Sequence, residues 1–167
     1  MSVTRRGGGH WLRWLLASVA LPASIACSES AEPVPPNGFW SANDVWSGQI
    51  IITPDADAPQ WPTDPVTIHG VVVKGDSLEL SVSFGGGCRD HEFGLLADGA
   101  WMESYPVQLG VRLAHDAKGD ACRALLSRVL RFDLSPLKAA YHDSYQATSG
   151  IIRVNVRGAP ASVTYSW

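Results

Sequence analysis

Apolar and polar residues alternate along several segments of this chain, and this pattern restricts the fold more than any other feature of the sequence. Successive side chains of a β-strand point to opposite faces, so the alternation predicts strands with one buried and one solvated face. Short strands of this kind are typical of antiparallel sandwiches and barrels. We therefore predict an all-β fold, an antiparallel β-sandwich of immunoglobulin-like or barrel-like form. The inward residues are predicted to be Leu78, Leu80, Val82 and Phe84; Val107, Leu109, Val111 and Leu113; Leu130, Phe132 and Leu134; Ile152, Val154 and Val156; and Val163, Tyr165 and Trp167.

Turn residues and one short helix complete the predicted architecture. A turn at 74–76 is expected to join strands at 68–73 and 78–84, and Asp98-Gly99 is expected to form a second hairpin. One helix is predicted near 135–145, with Ser135 as its cap and Pro136 in its first position. Residues 54–65 carry four prolines and three aspartates, which predicts a long surface loop.

An export signal is predicted over residues 1–26. Three arginines precede an apolar run of about a dozen residues, which is shorter than the roughly 20 that a membrane-spanning helix needs. Cys27 follows small residues directly, which predicts a bacterial lipoprotein acylated on Cys27. Because Ser24 stands where an aliphatic residue is usual, release as a secreted or periplasmic protein stays the alternative. Residues 27–38 are predicted to form a flexible tether, and residues 39–167 a single domain.

The net charge of the chain restricts the classes of molecule that it can be expected to bind. Removal of the three arginines before Cys27 leaves 10 of the 13 basic residues against 16 acidic ones, a formal net charge of −6. An acidic chain is a poor match for nucleic acid, which is itself a polyanion. The expected partners are a membrane, through the lipid anchor, and an unknown envelope protein or glycan. We expect an outer-membrane lipoprotein facing the periplasm or the surface, and no cofactor.

The two remaining cysteines are predicted to form a disulfide between Cys88 and Cys122. Exported proteins meet an oxidising compartment, where paired cysteines form bridges. With Cys27 acylated, this pairing leaves no odd thiol. The glycines at 85–87 would let the chain bend sharply into the bridge.

A metal site is the rival interpretation of the same region. Two cysteines and two histidines make a zinc ligand set, so Cys88, His91, His115 and Cys122 could share an ion. A second version keeps the disulfide and uses His91 and His115 with Asp116 or Asp120. Either version would make the protein a metal-binding envelope protein or a metal-dependent hydrolase. Both histidines share the parity of inward residues, and inward histidines at strand ends are more often packed core residues.

The sequence assigns no catalytic residue, so a binding or structural module is favoured over an enzyme. A third interpretation is a carbohydrate-binding module, which would need an exposed row of tryptophans to stack against sugar rings. The candidates are Trp40, Trp46, Trp61, Trp101 and Trp167.

Four segments between Leu80 and Val156 resemble a group of exported bacterial lipoproteins and are similar to the C-terminal β-sandwich of NigD-like proteins. They are Gly86-Gly87-Cys88-x-x-His91-x-Phe93, Pro106-Val107-Gln108, Leu113-x-His115-x-x-x-x-Asp120-x-Cys122 and Phe132-Asp133-Leu134-Ser135-Pro136-Leu137. The resemblance implies a lipid-anchored β-sandwich of unknown activity in which the two cysteines lie close together. It implies no catalytic residue.

Overall fold

Nine strands and a helix make up residues 38–167, the part of the chain that the computed structural model describes. Helix α1 follows the seventh strand. The elements are β1 (Gly38–Trp40), β2 (Val45–Ile52), β3 (Thr67–Lys74), β4 (Ser77–Gly86), β5 (Glu92–Met102), β6 (Val107–Asp116), β7 (Ala124–Asp133), α1 (Pro136–Tyr145), β8 (Ile151–Val156) and β9 (Val163–Ser166).

The strands form one mixed sheet that curls into a nearly closed barrel. The strand order is β3-β4-β7-β2-β5-β6-β8-β9, with β1 paired to β2, and the two edge strands β3 and β9 approach each other. The all-β class and the short helix are confirmed, but the purely antiparallel sandwich is wrong. Three neighbouring pairs, β2–β5, β2–β7 and β6–β8, run parallel. Alternation predicts which face a residue occupies, whereas long connections let strands pair in parallel with partners distant in sequence.

Apart from half-buried Val107, the predicted inward residues line the core of this barrel or pack against it. Leu78, Leu80, Leu109, Leu130 and Phe132 have no exposed surface, and Tyr165 is equally buried on β9. Strands β1 and β2 are missing from the prediction, and β2 contributes Trp46 and Ile50 to the same core. Its sequence lacks a clean alternation because two of its residues, Ile51 and Ile52, are apolar neighbours at the point where the strand leaves β1 and joins β5.

One predicted turn is confirmed and the other is wrong. Residues 74–76 join β3 to β4 as an antiparallel hairpin, with Gly75 at φ 58°. Asp98-Gly99 does not reverse the chain, because β5 continues through it to Met102. Instead, the register between β5 and β6 shifts between Ala97 and Trp101. Gly99, which has a positive φ, lies within this irregular part of the long strand.

Helix α1 occupies the predicted place but begins differently. It spans Pro136–Tyr145 and buries Leu137 completely. Ser135 makes no side-chain capping hydrogen bond; its hydroxyl donates to Asp133 Oδ2 at 2.8 Å. The carboxylate of Asp133 therefore holds the turn into the helix, a role expected of Ser135 from the sequence.

The proline-rich segment is a surface loop that covers one outer face of the barrel. Ala56 packs there against Leu96 and Ala114, which forms a small second cluster outside the main core. Trp61 packs against this cluster and donates its indole N–H to the carbonyl of Asp55 at 2.9 Å. The loop thus makes specific contacts with the barrel wall through β5 and β6.

The predicted signal peptide at 1–26, the lipid acceptor Cys27 and the tether up to residue 37 lie outside the described residues. Within residues 38–167, no helix has the length and apolar character to span a membrane.

Candidate functional site

A disulfide closes one end of the barrel, where β4 ends and β7 begins. The chain leaves β4 at Gly86, whose φ is 149°, and Gly87 follows at φ 117°. These two positive values turn the chain into the loop that carries Cys88, as the glycine run predicts. Cys88 is bonded to Cys122 on the loop between β6 and β7, with the two Cα atoms 5.9 Å apart. The structure therefore contains the predicted bridge.

Beside the disulfide, the carboxylate of Asp120 is wrapped by backbone N–H groups. Asp120 Oδ2 accepts hydrogen bonds from the amides of Gly87, Cys88 and Arg89 at 2.9, 2.9 and 3.0 Å. Asp120 Oδ1 accepts a further bond from the amide of Cys122 at 2.9 Å. Hydrogen bonds from the backbone amides of Cys122 and Cys88 hold the pKa of Asp120 well below its usual range and outweigh burial, which acts in the opposite direction. Asp120 is therefore an ionised carboxylate whose side chain has no exposed surface.

Two buried histidines continue inward from Asp120, and we call His91 and His115 the histidine pair. They are 2% and 1% exposed. His91 Nε2 lies 3.3 Å from Asp120 Oδ2, and His91 Nδ1 lies 2.8 Å from His115 Nε2. His115 Nδ1 in turn lies 3.1 Å from the backbone carbonyl of Asp64. The four groups form a linear chain of three polar contacts inside the barrel.

The alternation of β6 and the approach to β5 explain why both rings face inward. His115 follows Leu113 on the inward side of β6 and stacks on Phe93 with ring centroids 4.6 Å apart. His91 directly precedes β5 and packs against Phe84 at 4.8 Å. Burial is the main cause that lowers the pKa of His115, while its contact with the Asp64 carbonyl acts in the opposite direction.

The geometry gives the metal hypothesis no convergent ligand set within residues 38–167. Cys88, Asp120 and Cys122 are close enough to share an ion, but both sulfurs are consumed by the disulfide. The histidine pair meets its neighbours through opposite ring nitrogens, so Asp120 and His115 lie on different sides of His91. The carboxylate of Asp116 accepts a hydrogen bond from the amide of Lys118 and makes none with either ring of the pair. This is the arrangement of a hydrogen-bonded relay.

A pocket of about 410 Å³ opens at the same end of the barrel, and we call it the mouth pocket. Apolar side chains and charged groups share its lining. Sequence reasoning missed Arg128, although the signal was present: Arg128 occupies an inward position of β7, between Leu126 and Leu130. The lining residues are Trp40, Asp44, Phe84, Gly87, Cys88, Arg89, Asp90, His91, Leu126 and Arg128.

A larger hollow of about 610 Å³ lies between the proline-rich loop and the end of β6. Its two arginines are already engaged with the loop. Arg112 donates to the carbonyl of Ala56, and Arg157 is paired with Asp57 at 3.0 Å. These contacts fasten the loop to the barrel and leave the mouth pocket as the better candidate for a ligand.

The tryptophans of residues 38–167 do not form an exposed row. Trp46 is 3% exposed, and Trp40 packs edge-on against it while donating its indole N–H to the carbonyl of His91. Trp101 donates to Ser144, and Trp167 packs against Tyr141. The platform that the carbohydrate interpretation requires is therefore missing from this part of the chain.

The comparisons with known proteins found similarity at the level of fold. No protein-family model and no curated protein matches the sequence. Among solved structures, a NigD-like immunity protein from Bacteroides caccae matches with 20% identity and a TM-score of 0.49, over 72% of this chain and 60% of that one. A protein from Bacteroides fragilis described as a lipoprotein matches with 12% identity and a TM-score of 0.48, over 72% and 68%.

A toxin-related protein from Parabacteroides distasonis matches with 17% identity and a TM-score of 0.45, over 72% of this chain and 60% of that one. The chain thus spans about 60% of the length of two of these three proteins. A NigD-like protein, of the group that the sequence resembles, is therefore among the structural matches, at low identity and a TM-score below 0.5. It assigns no role to any residue of this chain.

Proposed function

We propose that this protein is an exported, lipid-anchored module of the bacterial envelope that binds a small monoanionic ligand with an apolar body. The mouth pocket is its binding site. The observation that carries the proposal is the position of Arg128, a cation on the inward face of β7 beside the apolar lining of the pocket. The disulfide supports export, since such bridges persist in oxidising compartments.

Arg128 is available to a ligand because its guanidinium is held only by one local hydrogen bond, from Nη1 to the carbonyl of Ser127 at 3.0 Å, and by one exposed ion-pair partner. Its guanidinium lies 3.4 Å from the carboxylate of Asp44, whose side chain is 73% exposed. An ion pair with so solvated a partner contributes little to stability. A planar guanidinium matches a carboxylate or sulfonate through two parallel hydrogen bonds, so an anionic ligand can replace Asp44.

The rest of the lining defines the ligand further. Trp40, Phe84 and Leu126 offer apolar surface, which suits an aromatic or aliphatic body. Asp44 and Asp90 place negative charge in the same pocket, which disfavours a ligand with several acidic groups. The volume lies within the range of small-molecule sites, roughly 300–1,000 Å³, and barrel mouths are a common location for them.

Binding can be tested with 8-anilinonaphthalene-1-sulfonate, an anionic aromatic probe. We expect saturable binding at one site, with affinity reduced about tenfold in Arg128→Gln because a charge-assisted hydrogen bond is lost. Arg131→Gln is the matched control: Arg131 lies on the outward face of β7, paired with Glu79, and its loss should leave the affinity unchanged.

A neutral probe of similar shape, N-phenyl-1-naphthylamine, separates charge recognition from apolar adsorption. It should bind more weakly than the sulfonate and be insensitive to Arg128→Gln. Near-ultraviolet circular dichroism checks that each variant keeps its packed aromatic core. Equal sulfonate affinity in Arg128→Gln and the wild type, or no saturable binding at all, contradicts the proposed site.

A further inference from the structure

The histidine pair occupies a chain of contacts whose hydrogen atoms can be counted. Asp120 at one end is an ionised carboxylate, and the Asp64 carbonyl at the other end has no hydrogen to give. Both ends accept, so His91 Nε2 and His115 Nδ1 must each carry a proton to make these contacts. The central contact, from His91 Nδ1 to His115 Nε2, requires one proton between its two nitrogens.

The total is three protons on four ring nitrogens, whereas two neutral imidazoles carry two. A neutral pair would leave one of the three contacts with two lone pairs facing each other inside the barrel. We propose that the histidine pair is a buried proton-binding site, which holds one extra proton at neutral pH and loosens the Cys88 loop when it releases that proton at alkaline pH. This inference stands apart from the lipid anchor and from the ligand of the mouth pocket.

His91 is the ring that carries the extra proton. It is the member of the pair in contact with the carboxylate of Asp120, whose side chain is fully buried beside it. Burial favours the neutral form of His115, which then donates from Nδ1 to the Asp64 carbonyl and accepts at Nε2. The resulting unit is an imidazolium between a carboxylate and a neutral imidazole, with no net charge. Burial of this unit is therefore compatible with its surroundings.

The other charged groups near the pair lie on the neighbouring strands and loops, and four of them form two ion pairs. Lys118 at the start of the β6–β7 loop is ion-paired with Glu92 of β5, and Arg128 of β7 with Asp44 of the β1–β2 connection. Arg89 and Asp90 follow Cys88 on the exposed loop, and Arg89 donates to the Lys118 carbonyl. The carboxylates of Asp64 and Asp116 accept from the amides of Ala117 and Lys118. From β4 and β5 the uncharged residues Phe84, Gly86 and Phe93 lie against the pair.

Release of the proton has a structural consequence because Asp120 also holds the loop. The amides of Gly87, Cys88 and Arg89 all donate to the same Asp120 Oδ2 that His91 contacts. When the imidazolium gives its proton to solvent, Asp120 loses its counter-charge and one contact of the chain is broken. We expect the Cys88 loop, which also lines the mouth pocket, to open more often above that pH.

The decisive experiment counts ring protons in the wild-type protein. The measurement uses ¹⁵N-labelled protein at pH 7.5. At this pH an ordinary histidine is mostly neutral, since its usual pKa is about 6.5. We expect nitrogen chemical shifts showing three protonated ring nitrogens in the pair, including both of His91. Two protonated and two bare nitrogens in the pair at this pH overturn the proposal.

Two further measurements test the link to the loop. Between pH 7.5 and pH 9, the hydrogen-exchange protection of the Gly87, Cys88 and Arg89 amides should fall about tenfold, which corresponds to losing one buried hydrogen bond. Asp120→Asn should reduce the pair to two protons at pH 7.5, whereas Asp116→Asn, whose carboxylate makes no hydrogen bond to either ring, should keep three. Protection that is unchanged up to pH 9 contradicts the coupling, and the wild-type proton count decides the site even if Asp120→Asn does not fold.

Discussion

At the residue scale, Gly86 decides whether the disulfide end of the barrel can close. A β-carbon added there would lie 2.6 Å from His91 Nε2 and 3.0 Å from Asp120 Oδ2, in a backbone conformation with φ at 149°. Gly85, the preceding residue of the same strand, has open space within 4 Å of its β-carbon position. The sequence predicts a bend at the glycine run. The second role of these glycines, making room for His91 and Asp120, depends on strands that are distant in sequence.

We expect Gly86→Ala to lower the free energy of unfolding by about 2–3 kcal/mol, because the new methyl group meets buried polar atoms in a strained backbone conformation. Gly85→Ala should change it by less than about 0.5 kcal/mol. Urea denaturation followed by tryptophan fluorescence measures both. Equal stability of the two variants would show that the His91–Asp120 contact tolerates displacement.

At the element scale, each of the two loops that carry the disulfide connects strands that are not neighbours in the sheet. The Cys88 loop connects β4 to β5, and the Cys122 loop connects β6 to β7. The β4–β5 connection crosses from β4, next to β7, to β5, next to β6. The disulfide closes this crossing, spanning 34 residues of sequence. In the chain-entropy account, a bridge of this span removes much of the freedom of the unfolded chain.

Cys88→Ala combined with Cys122→Ala is expected to lower the free energy of unfolding by about 4 kcal/mol, if the bridge acts mainly on the unfolded chain. Guanidinium denaturation in a Cys27→Ser background measures this effect without a third thiol. In that background the unreduced protein should show no free thiol, and reduction should release two. Two free thiols without reduction would refute the bridge.

Among the elements, the pairing of strands is the feature that the sequence predicts least well. The β3–β4 hairpin follows from the local turn at Gly75, so it could be predicted. Strand β2 could not be placed, because it lies between β7 and β5, both far along the chain, and runs parallel to each. No local turn encodes such a pairing; it is fixed by how the inward faces of all strands fit together.

At the scale of the whole molecule, hydrogen bonds to Asp76 connect the β3–β4 turn, β9 and α1 at the barrel end opposite the disulfide. Asp76 in the β3–β4 turn accepts from the hydroxyl of Tyr165 on β9 at 2.8 Å and from the ammonium group of Lys138 on α1 at 2.8 Å. Burial, reinforced by the hydrogen bond to Asp76, raises the pKa of Tyr165 well above its usual value. Tyr165 therefore stays a neutral donor that ties the two edges of the sheet together.

The proposed anchor is a property of the whole chain. The wild-type protein can be expressed in a Gram-negative host that is grown with an alkyne-tagged fatty acid. It should then carry the alkyne label and sediment with membranes. Cys27→Ser should lose the label and move to the soluble fraction, since acylation supplies the membrane affinity. An unlabelled wild type would favour the alternative of a secreted or periplasmic protein, and a labelled Cys27→Ser would place the lipid on another residue.

The alternating pattern by itself determined the all-β class, the inward faces of five strands and the inward parity of His91 and His115, and Pro136 marked the start of the helix. These features depend on local periodicity, which the sequence states directly. Only the tertiary structure decided the mixed pairing, the barrel form, the cation in the mouth pocket and the partners of each histidine nitrogen. Those features depend on contacts between segments far apart in the chain, where a change of register or partner alters the chemistry without altering the local pattern.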